Sequence, residues 1–186
     1  MAPATYDEFP FDQERFKRLA HYILWRSRDR DRFSMAQLYE ALWFADARMF
    51  MLRGKPITGA VYVREKSGPS AKAGKAALTR LKQEGAVRPR KGRARVRGRG
   101  RLEVLSAPEI SIFDQQELEA VEWSIQRVDR KTKGAAAAGE ASQRTWELAV
   151  IGEKIPYHAI LATRTRQPDE EEIEWARQRI CERGLS

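Results

Sequence analysis

Between Met35 and Leu52, apolar residues recur at Met35, Leu38, Leu42, Ala45, Met49 and Leu52, at spacings of 3, 4, 3, 4 and 3. That is the repeat of one face of an α-helix. Trp43, Phe44 and Phe50 lie off this stripe. The helix is therefore apolar on more than one side, which suits a helix enclosed by other elements. The rest of the chain has to fold around it. Ser34 with Gln37 three residues later is a capping-box pattern at its start. Gly54 stands where a left-handed residue closes a helix, and Pro56 blocks continuation.

The flanking segments read as further helices with short β pieces between them. Phe16, Leu19, Ala20 and Ile23 share one face of a helix expected from Asp12 to Arg26. Val61-Tyr62-Val63 is short and β-prone. Gly68-Pro69 breaks the chain, and Ser70 is placed to cap a third helix over 71–84, ended by Gly85. Leu102 to Leu105 is a strand candidate. Asp114 and Glu117 form another capping pattern, before a stripe of Leu118, Val121, Ile125 and Val128 that runs to about Arg130. After the small-residue stretch KTKGAAAAGEAS, a fifth helix is expected over 142–150, then an extended link from Gly152 to Tyr157. Pro168-Asp169-Glu170-Glu171-Glu172 puts acids at a last helix's N-terminus, with Arg177, Arg179 and Arg183 toward its C-terminus. The expected architecture is mainly α: a compact domain of about six helices with a small β-hairpin or wing after the third. Residues 1–11 are expected as a flexible tail, 12–165 as the domain and 166–186 as a C-terminal helix.

Composition narrows the function classes. A length of 186 residues suits one domain with its own core. The one cysteine, Cys181, allows neither an internal disulfide nor a cysteine-based metal site, which fits a reducing cytoplasm. No apolar run has the length of a membrane span, and MAPATYDEF lacks the basic and apolar regions of a secretory leader. The net charge of +9 is concentrated in one place. Residues 88–101, RPRKGRARVRGRGR, carry seven arginines and Lys91 without an acid, leaving +1 on the other 172 residues.

Little in the chain resembles a catalyst. His21 and His158 have no Cys, Asp or Glu at ligand spacing and read as structural. There is no phosphate-binding loop, no GxGxxG and no Gly-x-Ser-x-Gly elbow. Asp46, inside the apolar helix, reads as a buried, hydrogen-bonded acid. Gly54, Gly59 and Gly68 read as turn glycines.

One ordered set of motifs goes further. It begins with Leu42-Trp43-Phe44-Ala45-Asp46 and continues with Gly54-Lys55-Pro56-Ile57-Thr58-Gly59, Tyr62-Val63, Gly68-Pro69 and the Leu81 to Gly85 helix end. Ser142, Trp146 and Ile155-Pro156-Tyr157 follow. In this order the chain resembles the Panacea domain of SocA-type antitoxins and their phage-encoded relatives, over roughly residues 14–162. It departs from that pattern at Gln143, where the family has histidine, and at Ser70, where it has an apolar residue. The resemblance implies an α-rich fold and no known enzymatic activity; with no cofactor or metal motif in the residues, neither is expected. It implies a function by binding: an antitoxin neutralises a cognate toxin by direct contact. It also implies that Asp46, Gly54, Pro56, Ile57, Thr58, Gly59, Tyr62, Gly68, Pro69, Trp146, Pro156 and Tyr157 form the structural frame.

The binding residues are then expected in the basic segment, at Arg90, Lys91, Arg93, Arg95, Arg97, Arg99 and Arg101. The last five alternate, so an extended chain aims them to one side. Three readings fit: a surface for a partner protein, a winged-helix wing on operator DNA, or a passive solubilising loop. Delivery of a partner to a protease is a further adaptor role for such a chain. A membrane partner is not expected.

Overall fold

The computed structural model describes residues 9–30, 33–90, 102–132, 146 and 149–163. Four α-helices lie among them: α1 (Gln13–Arg26), α2 (Met35–Arg53), α3 (Gly74–Gln83) and α4 (Gln115–Thr132). Two antiparallel hairpins join them, β1 (Tyr62–Glu65) with β2 (Gly68–Ala71) and β3 (Val87–Pro89) with β4 (Leu102–Val104). A 3-10 segment covers Tyr157–Thr163. None of these helices is long and apolar enough to cross a membrane.

The core is built on α2. Every residue from Glu40 to Ala47 is buried, on all sides of the helix. It packs against α4, β2 and the 3-10 segment, while α1 lies across α2 and α3. Trp43, Phe44 and Trp146 form an edge-to-face cluster, with ring centroids 4.9 Å apart for Trp43–Phe44 and 5.8 Å for Phe44–Trp146. The expected stripes are inside: Phe16, Leu19 and Ile23 of α1 and Val121, Ile125 and Val128 of α4.

The caps follow the local chemistry. Asp12 accepts from the Arg15 amide at 2.9 Å. Ser34 and Gln37 make both bonds of a capping box, and so do Asp114 and Glu117. Gly54 closes α2 in the left-handed conformation at φ 74°.

Four expectations need correction. The helices number four among the described residues, where about six were expected. The fifth, over 142–150, is not α-helical where it is described: Trp146 is in a 3-10 turn and Ala149 in a bend. The sixth, over 166–186, lies outside the described residues. Second, residues 68–71 form a strand, and α3 starts three residues later than expected. The Ser70 capping signal is local, and the ladder with β1, pairing Val63 with Ser70 and Arg64 with Pro69, overrides it. Pro69 is tolerated because β2 is an outer strand. Third, residues 9–11 are docked and not part of a loose tail. Phe9 contacts Phe50 and Tyr157, Phe11 contacts Phe16, and the next amide, Asp12, donates to Thr58 O at 2.9 Å. Fourth, the described residues form two hairpins; one stands after α3 as expected, with its register set by Val87–Val104.

That docking makes Gly59 a demanding position. Its φ is +69°, and an added Cβ would lie 2.3 Å from the Pro10 carbonyl oxygen. Gly54 shares the left-handed backbone, but an added Cβ there meets nothing within 4 Å. Gly59→Ala is expected to cost about 2–4 kcal/mol by urea denaturation, and Gly54→Ala about 1 kcal/mol. Equal losses would mean that the Pro10 contact contributes nothing.

Candidate binding site

The turn after α2 folds back so that three donors converge on Asp46, which is fully buried. The Thr58 amide donates to Oδ1 at 2.8 Å, and Thr58 Oγ1 and Tyr62 Oη donate to Oδ2 at 2.5 and 2.7 Å. Ala60 N donates to Thr58 Oγ1 at 3.2 Å, and Arg15 Nε donates to the Ile57 carbonyl at 3.0 Å. Burial pushes the Asp46 carboxyl up to about 6, against the pull of its donors. Burial, reinforced by the nearby Asp46 charge, raises the Tyr62 and Tyr157 phenols, which therefore stay protonated.

A carboxyl with this elevation invites a general-base reading. The geometry argues against it. Asp46 has no solvent exposure, both oxygens are occupied by donors, and Tyr62 stands between it and the adjoining cavity. It acts as a strut that fixes the Pro56-Ile57-Thr58-Gly59 turn.

The second motif segment meets the first across nearly a hundred residues. Ile155 N donates to Tyr62 O at 2.9 Å, Arg64 N donates to Glu153 O at 2.9 Å, and Val63 bridges Lys154, so residues 152–155 run beside β1. Tyr157 Oη donates to the Ala60 carbonyl at 2.5 Å. Trp146 is buried against the Trp43 ring, 6.1 Å away, and its indole lies over Gly68.

Between these segments lies an open cavity of about 220 Å³. Phe9, Phe50, Tyr62 and Tyr157 form its aromatic walls, and Gly59, Pro156, Lys154 and His158 also line it. Phe11 and Val61 sit at its edge and are 43% and 42% exposed. Apolar cavities of about 150 Å³ accept a benzene-sized ring, so this one can hold a single aromatic or branched side chain. Phe9, Phe50, Lys154 and His158 were not recognised as lining residues from sequence. The one available signal was Phe50, standing off the main stripe of α2.

The structure distributes the expected frame residues in three ways. Thr58, Gly59, Tyr62, Pro156 and Tyr157 gather around Asp46 and the cavity. Gly54, Pro56 and Ile57 build the turn that carries them. Gly68, Pro69 and Trp146 lie at the β2 end. Of the expected binding cations, Arg90 is exposed, while Lys91, Arg93, Arg95, Arg97, Arg99 and Arg101 lie outside the described residues. At the base of that hairpin, Arg88 makes a two-pronged pair with Glu103 at 2.9 and 3.0 Å. His21 contacts the Ser106 carbonyl at 3.0 Å and bridges α1 to the chain after β4. No cluster of three His, Cys, Asp or Glu side chains able to hold a metal occurs among the described residues.

Comparison with family models, curated proteins and solved structures finds no match to this chain.

Proposed function

We propose that this chain is a non-enzymatic, cytoplasmic antitoxin of the Panacea type, which neutralises a cognate toxin by direct protein–protein contact. The observation that supports this reading best is the meeting of the two distant motif segments at one open, aromatic-walled cavity. Such a cavity accepts an anchor side chain from a partner, and buried aromatic anchors dominate protein interfaces. The sealed Asp46 cluster gives the cavity a rigid wall without supplying chemistry.

Co-expression with the product of the adjacent gene tests the proposal. The expected result is rescue of growth and a stable complex on a sizing column. Absence of both rejects it. Val61→Glu places a charge at the rim of the cavity on an exposed side chain. It is expected to weaken the complex about tenfold or more while leaving the melting temperature nearly unchanged. An unaffected complex would move the interface elsewhere.

A second reading, a duplex-DNA-binding regulator, is favoured by one observation. Helix α3 runs directly into the β3–β4 hairpin, so that helix, strand, basic segment and strand follow in winged-helix order. The two roles are compatible, because an antitoxin that binds its operator represses its own production.

A further inference from the structure

Helix α3 has a buried face and a basic face, with no acid between Gly74 and Gln83. Gly74, Ala77, Leu78 and Leu81 are buried, and Leu81 and Ala77 are almost completely inaccessible. Lys72, just before the helix, and Lys75, Arg80 and Lys82 on it are all exposed. None of these four cations takes part in an ion pair among the described residues. The nearest acid in sequence, Glu84, is held by Lys17 of α1 at 2.6 Å. It compensates the packing side of the helix and leaves the exposed side positive.

The shape of that face matters as much as its charge. At 100° per residue, Thr79, Gln83 and Ala76 fall at its centre, all three exposed, with Lys75 and Lys82 on one flank and Arg80 on the other. Thr79 bonds back to the Lys75 carbonyl at 2.9 Å and so stays low. A helix whose centre carries two short side chains and an uncharged glutamine, between long cationic flanks, can enter a groove while its flanks reach the phosphates on either side. The helix is ten residues long, roughly 15 Å, a length the major groove admits. Its end leads through the turn at Gly85 into β3, where Arg90 adds an exposed cation, while Arg88 is held by Glu103.

The geometry points to the exposed face of α3 as a duplex-DNA contact surface, with Lys72, Lys75, Arg80 and Lys82 on backbone phosphates and Ala76, Thr79 and Gln83 facing the groove. The assignment rests on the duplex-DNA reading above and is separable from it. An acidic partner protein is the competing occupant. The duplex is favoured because cations on both flanks of an uncharged central strip match two phosphate rows, and the glutamine in that strip can hydrogen-bond base edges.

Fluorescence anisotropy with a labelled duplex, over about 50 to 200 mM salt, tests this. Three full-length variants are compared with the unsubstituted chain: Lys72→Ala/Lys75→Ala/Arg80→Ala/Lys82→Ala on and just before α3 (the α3 variant), Arg93→Ala/Arg95→Ala/Arg97→Ala/Arg99→Ala in the basic stretch of sequence between β3 and β4 (the hairpin variant), and Lys55→Ala/Lys66→Ala as an exposed control pair. All α3 changes are at exposed positions and alanine favours helix, so circular dichroism should stay unchanged. The expected result is binding at least about tenfold weaker for the α3 variant, with the log–log salt slope reduced by roughly 3–4, and little change for the control. Intact binding by the α3 variant, with loss in the hairpin variant, overturns this assignment and leaves the DNA reading standing. An equal loss in the control pair overturns it as non-specific charge. No binding by the unsubstituted chain overturns both. Loss of the toxin complex without any DNA binding gives the face to the protein partner and overturns the assignment in the same way.

Discussion

Replacing Asp46 with alanine is expected to lower the unfolding free energy by about 3–5 kcal/mol at neutral pH, read from urea denaturation. Three buried donors, the Thr58 amide, Thr58 Oγ1 and Tyr62 Oη, would lose their acceptor. Each stranded donor costs about 1–3 kcal/mol, and relief of the carboxylate's burial offsets part of that sum. Asp46→Asn is expected to cost only about 1–2 kcal/mol. Its carbonyl still accepts from the Thr58 amide, and its NH2 donates to hydroxyls that can turn round as acceptors.

The same carboxyl gives stability a pH dependence with a defined sign. Its folded value is about 6 against 3.8 for the free side chain. Between those values the folded state holds a proton that the unfolded state has released. The contribution is therefore fully present below about pH 4 and lost as pH rises through about 6. It amounts to roughly 3 kcal/mol, at 1.36 kcal/mol per pKa unit. Stability through this group falls from pH 4 to pH 7, and Asp46→Asn should remove that slope. A slope that persists in the asparagine variant, together with equal losses for alanine and asparagine, would contradict the strut role.

The second large effect is expected at Trp43. Its ring is fully buried and packs edge-to-face on Phe44 and Trp146. Trp43→Ala should cost about 3–5 kcal/mol, the range for emptying an aromatic site that cannot collapse. Trp43→Phe should cost about 1 kcal/mol. The indole Nε1 is buried without a hydrogen-bond partner, so losing it sacrifices no bond and removes a desolvation penalty. A phenylalanine variant as unstable as the alanine one would mean that indole volume, and not aromatic packing, dominates. Monitoring the Trp146 environment by near-ultraviolet circular dichroism separates the two, since Trp146 loses the ring at position 43 only in the alanine variant and keeps Phe44 in both.

How legible the fold was depended on how far apart the interacting residues stand. The α1, α2 and α4 helices were readable because their signals are local. The Ser34–Gln37 and Asp114–Glu117 boxes close within three residues, and the Gly54 stop acts on the turn just before it. The stripe from Met35 to Leu52, broadened by Trp43 and Phe44, marked α2 as the enclosed helix, and residues 40–47 are buried on every side. The basic segment between β3 and β4 was also evident as a run of charge, though which partner it serves is a matter of surface shape that a run of charge does not encode.

Other features were decided by tertiary contact. Ser70 carries a helix-capping signal but lies in a strand, because β1 supplies a whole ladder of backbone bonds against one side-chain bond. Phe9 lies in a segment that looks like tail, yet Phe50 and Tyr157 give it a wall to pack on. The candidate cavity exists only because Tyr157 and residues 152–155 close against Ala60 and β1, at a separation of 97 residues for the Tyr157–Ala60 bond. The sequence alone determined where α1, α2 and α4 begin and which helix lies at the centre, since caps and periodicity act within a turn or two. Only the tertiary structure decided that the acid of α2 braces a turn and that two distant motifs enclose one cavity. Those outcomes depend on long-range burial, which no local pattern specifies.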